Sequence, residues 1–293
     1  MLAKIGLKGQ FQSVISTSEG GNISIVFPTI SSFYKSISFN IKPINLMKKL
    51  TTLLLAMTLA VVTFAQQGIK SKYFEMRTYT VHEGKMPDLI QRFQNHTLKL
   101  FKKNGIENVA YFLSEEQPDK QLTFILGYPD QASRDVLWNK FANDPEWVAA
   151  YKASEANGPL VQKVDQVFMV WANNLNDNKK PKPSGIFQLR TYYCFPGKIE
   201  NIQTRFRDHT QDLFEKQGLK NYPYWLTVEK DGSQPKLVYL LGHDSKDAFN
   251  AAFDRFRVDP DWVKARDESE APGKIVEKVV GVFYTALPFS PMK

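Results

Sequence analysis

Residues 186–287 of this chain repeat residues 72–172, and that repeat limits its architecture more than any other property of the sequence. The run YFEMRTY from Tyr73 to Tyr79 returns as IFQLRTY from Ile186 to Tyr192, FQNHT from Phe93 to Thr97 returns as FRDHT from Phe206 to Thr210, and FKKNG from Phe101 to Gly105 returns as FEKQG from Phe214 to Gly218, all at one offset of 113 residues. After a two-residue insertion the offset is 115, which aligns DPEW (Asp144 to Trp147) with DPDW (Asp259 to Trp262) and Ser154-Glu155-Ala156 with Ser269-Glu270-Ala271. Self-similarity at a fixed spacing means that one supersecondary unit is built twice. The copies span residues 72–172 and 186–287, and the polar, proline-containing stretch 173–185 reads as a linker between them.

Within a copy the periodicity changes in a set order. Phe74, Met76 and Thr78 alternate with Glu75, Arg77 and Tyr79, the two-residue period of a strand with two distinct faces. Met86, Leu89, Ile90, Phe93, Thr97, Leu100 and Phe101 then fall on one helical stripe, and Gly105 is placed to stop it. Val109 to Ser114 and Gln121 to Tyr128 are apolar, aromatic runs on either side of a polar turn, the pattern of a hairpin. Two short helices follow. Asp130 is placed to cap the first, and Asp144, with Pro145 at the first helical position, to cap the second. Val161 to Trp171 closes the copy as a strand. Such an order gives a split βαβ, ferredoxin-like sheet with its helices on one face. The bare face must be covered, and two copies in one chain can cover each other. The expected fold is therefore α+β: two tandem ferredoxin-like modules forming a pseudo-symmetric dimeric α+β barrel.

Upstream, Met47-Lys48-Lys49 is a short basic start, Leu50 to Phe64 an apolar run, and Thr63-Phe64-Ala65 a small-residue site before Gln66. That layout predicts a signal peptide over 47–65, cut after Ala65, and a periplasmic or secreted product. The apolar run falls short of the about 20 residues that span a bilayer, so no transmembrane span is expected in the mature protein. Residues 1–46 show no sustained helical or strand period and read as a misassigned upstream extension. The formal charge of +8 is concentrated here: six lysines against one acid in the first 65 residues leave 32 basic and 29 acidic residues downstream. With the signs interspersed, that balance makes no phosphate-binding stripe and excludes nucleic acid as a partner. A single cysteine, Cys194, excludes an intramolecular disulfide.

Of the four histidines, His96 and His209 hold the same place in the two copies. Each lies about 60° from Phe93 or Phe206 on the helical wheel, at the edge of the stripe that faces the sheet. There a histidine either lines a pocket, as a general base or a metal or haem ligand, or buttresses the sheet through a hydrogen bond. Arg77 and Tyr79, with Arg190 and Tyr192, share the strand face opposite Phe74 and Met76. If the latter meet the helices, these four point into the barrel, as an anion or carbonyl clamp or as a structural network between the copies. A buried arginine needs a carboxylate, and Glu75, Glu155 and Glu270 are the candidates. No glycine-rich phosphate loop, G-x-S-x-G elbow or C-x-x-C occurs, and two repeat-related histidines are a poor supply for zinc, so no metal and no cofactor are predicted. Tyr111, Phe112, Tyr222, Tyr224 and Trp225 are strand residues first and read as core.

The opening EMRTYT and QLRTY, the R-F-x-x-H-T helix, and D-P-[ED]-W followed by S-E-A resemble the NIPSNAP family, over both copies and in the same order twice. The resemblance implies the dimeric α+β barrel superfamily, which includes cofactor-free quinone-forming monooxygenases, haem-degrading monooxygenases and haem enzymes; haem is thus the one cofactor that it leaves open. The expected function is an exported binder of a small apolar or aromatic molecule. The alternatives are a cofactor-free monooxygenase-like enzyme and a protein-interaction scaffold, and a closed, fully packed barrel interior leaves only the scaffold.

Overall fold

The computed structural model describes residues 69–172, 175 and 183–293, together with the backbone of 3–6, 12–17, 23–26 and 36–39. The chain divides into two units, Met1–Gln67 and Gly68–Lys293. In the first, strands β1 (Ala3–Gly6), β2 (Gln12–Thr17), β3 (Ile23–Val26) and β4 (Ser36–Phe39) form an antiparallel sheet in sequence order. The sequence shows no sustained period there because each run is only four to six residues long. The proposed signal peptide at 47–65 and most of the linker lie outside the described residues.

The second unit realises the repeat. Its first module runs β5 (Tyr73–Val81), α1 (Met86–Arg92), a π turn (Phe93–Thr97), α2 (Leu98–Lys103), β6 (Glu107–Ser114), β7 (Gln121–Tyr128), α3 (Gln131–Ala142), α4 (Pro145–Ser154) and β8 (Val161–Trp171). Its second runs β9 (Ile186–Cys194), α5 (Ile199–Arg205), a π turn (Phe206–Thr210), α6 (Gln211–Lys216), β10 (Lys220–Thr227), β11 (Leu237–His243), α7 (Lys246–Val258), α8 (Pro260–Glu270) and β12 (Val276–Ala286). The expected caps form: Asp130 accepts from the Ser133 amide and Asp144 from the Glu146 amide. Gly105 ends α2 at φ +85°, a left-handed conformation that any side chain would strain.

The eight strands close into one barrel, ordered β10-β11-β9-β12-β6-β7-β5-β8. Two seams join the modules, and they are equivalent by the repeat. In one, Trp171 faces Trp225 and Val170 faces Leu226; in the other, Ala286 faces Phe112 and Thr285 faces Leu113. Each sheet end that would be a free edge in an isolated module is thus paired by the other copy. The two modules form the pseudo-symmetric α+β barrel inside a single polypeptide.

Three apolar layers result. The barrel interior is filled from both modules by Phe74, Phe112, Met169, Phe187, Trp225 and Leu240, all 1% exposed or less. The other two layers lie between each module's sheet and its own helices. Here the structure reverses the expected facing of β5 and β9. Phe74 and Met76 point into the barrel, while Arg77, Tyr79, Arg190 and Tyr192 face the helices: Tyr79 packs 5.0 Å from Phe124 and Tyr192 5.6 Å from Phe206, ring centre to ring centre. A two-residue period separates two faces but does not say which is inside, and here both are covered.

Candidate functional site

The helix-facing side of β5 carries a charged cluster that its neighbours complete. Glu75, fully buried, accepts from Arg77 Nη1, from Arg134 Nε and Nη2 on α3 (2.9 Å each), from the Tyr128 hydroxyl on β7 (3.1 Å) and from Gln166 Nε2 on β8 (2.8 Å). Burying that carboxylate is tolerable only because two guanidiniums and two further donors occupy its lone pairs. The guanidinium carbon of Arg77 lies over Trp138, 4.4 Å from the ring centre, and that of Arg134 lies 5.1 Å from the centre of the same ring. Burial beside Glu75 pushes the Tyr128 hydroxyl far above its ordinary value, so it stays a donor.

Above this cluster opens a cleft of about 350 Å³ between α3 and the β5–β8 side of the sheet. Tyr73, Trp138 and Phe168 supply its aromatic walls, Arg77, Arg134 and Gln166 its polar floor, and Lys230, from the loop after β10 in the other module, its rim. A smaller void of about 70 Å³ lies deeper, across Trp138, between Tyr79, the Phe93–Thr97 π turn and Trp147.

Module two builds the same place differently. Arg190 stacks on Phe253, 4.5 Å away, as Arg77 does on Trp138, but Gln188 stands where Glu75 does, and Phe249 where Arg134 does. Phe249 is 1% exposed and packs edge-on to Phe283 at 5.2 Å, filling the volume that is open in module one. Gly281 replaces Gln166, and a Cβ there would come within 3.2 Å of the Gln188 amide. The cleft therefore belongs to one copy only.

The other predicted site residues are placed elsewhere. His96 and His209 are exposed, not at the sheet-facing edge. The π turn is the reason: its wider i→i+5 winding fits an extra residue per turn, so Thr97 and Thr210 point inward and the preceding histidines swing out. Each inward threonine hydroxyl donates back to the carbonyl of Arg92 or Arg205. Glu155 and Glu270 pair with neither Arg77 nor Arg190. They bind Arg92 and Arg205, each at 3.0 Å, with Ser154 and Ser269 beside them. These two arginines were missed as partners, although their signal is in the sequence as the R-F that opens the π turn in both copies. Because the latch is identical in the copy without a cleft, it fastens the α1 or α5 helix to α4 or α8 rather than serving a ligand. The cleft lining has no histidine, cysteine or methionine, so the residues present there do not fit haem ligation through those side chains.

The family model for NIPSNAP matches residues 74–173 and 187–291. No curated protein matches the sequence. Among solved structures, the chain is similar to a candidate monooxygenase from Fusobacterium nucleatum at 10% identity, covering 77% of this chain and 100% of that one with a TM-score of 0.50. It is also similar to a candidate monooxygenase from Lactobacillus acidophilus at 9% identity, covering 74% and 94% with a TM-score of 0.48. A NIPSNAP domain protein from Burkholderia xenovorans is 24% identical, with 36% of this chain and 99% of that chain covered and a TM-score of 0.32. These likenesses to solved structures concern the fold alone. With both repeats matched by the family model over more than half of its length, the chain belongs to the NIPSNAP family, as two modules in tandem.

Proposed function

We propose that this chain is an exported binding protein whose first module seats a small aromatic molecule in the cleft between α3 and β5–β8. The observation that carries the reading is the contrast between the copies: about 350 Å³ stands open beside Tyr73, Trp138 and Phe168, while Phe249 closes the same place in module two. That volume lies in the range of about 300–1,000 Å³ typical of small-molecule sites. A ligand seat inside the barrel finds no support, because aromatic and aliphatic side chains fill that interior. The packed interior does not reduce the protein to a scaffold, since the cleft lies in the helix–sheet layer. Catalysis finds less support than binding: all of Glu75's engaged donors hold it as a structural anion, and Asp135 at the rim is tied to Arg134 at 2.8 Å, which leaves no carboxylate placed as a base.

The test imports the closed arrangement of module two. In the double variant Glu75→Gln/Arg134→Phe, the cleft is expected to fill as it does around Gln188 and Phe249, and any small molecule that native mass spectrometry finds on the mature wild-type chain should be lost. Unchanged retention of that molecule by a folded variant overturns the reading. Export is tested separately, by the mass of protein produced with its own leader: the N-terminus should be Gln66, and a product that retains residues 47–65 overturns it.

A further inference from the structure

We infer that the molecule seated in the module-one cleft is an organic anion, a carboxylate carried on a flat ring system, and that Lys230 of module two latches its charge. This deepens the binding reading above and rests on it. Both carboxylates around the cleft are engaged: Glu75 accepts five hydrogen bonds, and Asp135 accepts from Arg134 Nη1 at 2.8 Å. Arg134 uses three of its five N–H groups, with Nε and Nη2 on Glu75 and Nη1 on Asp135.

Three other donor groups are less committed. Arg77 uses one of the five N–H groups of its guanidinium, on Glu75, and its Nε is buried without a partner. Lys230 makes no ion pair or hydrogen bond among the described residues; its Nζ stands 5.1 Å from the centre of the Phe168 ring. The Tyr73 hydroxyl also makes no hydrogen bond among the described residues, and burial raises its pKa, so it remains a donor. With three cations (Arg77, Arg134 and Lys230) against two carboxylates (Glu75 and Asp135), the surroundings of the cleft carry one positive charge in excess; together with the Tyr73 hydroxyl they are complementary to a carboxylate, which a guanidinium suits geometrically as well as by charge. A neutral amide would satisfy the hydrogen bonds but leave the charge, and an amine would be repelled. The aromatic walls suit the ring. Because Lys230 belongs to the other module, an occupied cleft also ties the two modules together.

The experiment is calorimetric titration of the mature chain with benzoate, phenylacetate and indole-3-acetate, each beside its neutral amide. At least one acid should bind about tenfold or more tightly than its amide, the worth of one charge-assisted hydrogen bond. Lys230→Met, a change at an exposed position, should remove about tenfold from that acid and leave its amide unchanged, and added salt should weaken the acid alone. Acid and amide binding equally, both abolished by Glu75→Gln/Arg134→Phe, overturns the anion while leaving the binding reading intact. Acid binding that neither Lys230→Met nor the double variant alters lies outside the cleft and overturns the inference. If no acid and no amide binds, the inference and the aromatic seat both fall.

Discussion

Glu75 and Arg77 are two positions apart on one strand and therefore on one face, so their pairing is a local matter; what makes it a site is Arg134, 59 residues further along. Glu75 is fully buried and holds two guanidiniums, so removing it leaves both uncompensated in a dry layer. Glu75→Ala is accordingly expected to cost about 3–5 kcal/mol of stability, read from the urea midpoint. Glu75→Gln/Arg134→Phe should cost distinctly less, because it removes one charge of each sign and adopts a pairing already used around Arg190. Equal losses in the two variants would show that Glu75 is not the keystone of the cluster. The sequence made Glu75 a candidate partner for Arg77, but it could not name Arg134, Tyr128 or Gln166, whose contacts with Glu75 exist only once α3, β7 and β8 are laid against β5.

Helix starts show the opposite balance, since a cap is a matter of four or five consecutive residues. Asp144 and Asp259 cap α4 and α8 as the DP motif predicts, and each gains a second task from the helix packed beside it. A hydrogen bond from Asn104, and then Lys103, holds the Asp144 carboxyl down to about 2; Lys216 likewise lowers Asp259. A carboxyl whose folded value lies below its unfolded one adds stability that is complete above the unfolded value, near 3.8 for Asp144, and fades as pH falls toward about 2. Wild-type stability should therefore drop over that window, and Asp144→Asn/Asp259→Asn, which keeps both capping oxygens, should flatten the drop in urea midpoints measured across it. An unaltered acid profile in the double variant would mean that other carboxyls govern it. The π turns were the element that sequence periodicity misjudged. One extra residue in a helical turn leaves the apolar stripe intact but moves the neighbours of the stripe, and His96 and His209 were such neighbours.

At the scale of the whole molecule, the two seams carry the architecture. Trp171 stacks on Trp225 at 5.9 Å and 10° across one, and Phe112 packs on Tyr284 at 5.8 Å across the other, so neither module covers its own inner face. The intact mature chain is expected to unfold in one cooperative transition, and modules expressed separately to be unstable or to self-associate through that face. Two independent melts, with each module a stable monomer, would contradict a shared core. The same closure explains why the site is asymmetric. Each helix–sheet layer belongs to one module and can diverge freely, whereas the barrel interior is built by both at once.

The repeat, the element order, the caps and the mutual covering of two sheets were all legible in the sequence, because periodicity and capping are properties of neighbouring residues and an uncovered apolar face has few ways to be buried. Which face of β5 and β9 turns inward was not, since alternation is symmetric between a barrel interior and a helix layer when both are covered. Nor was the cleft legible: Arg134 and Phe249 stand at equivalent places in the same order of elements, and only their packing against Glu75 in one module and Phe283 in the other makes the first an open, charged pocket and the second a filled core.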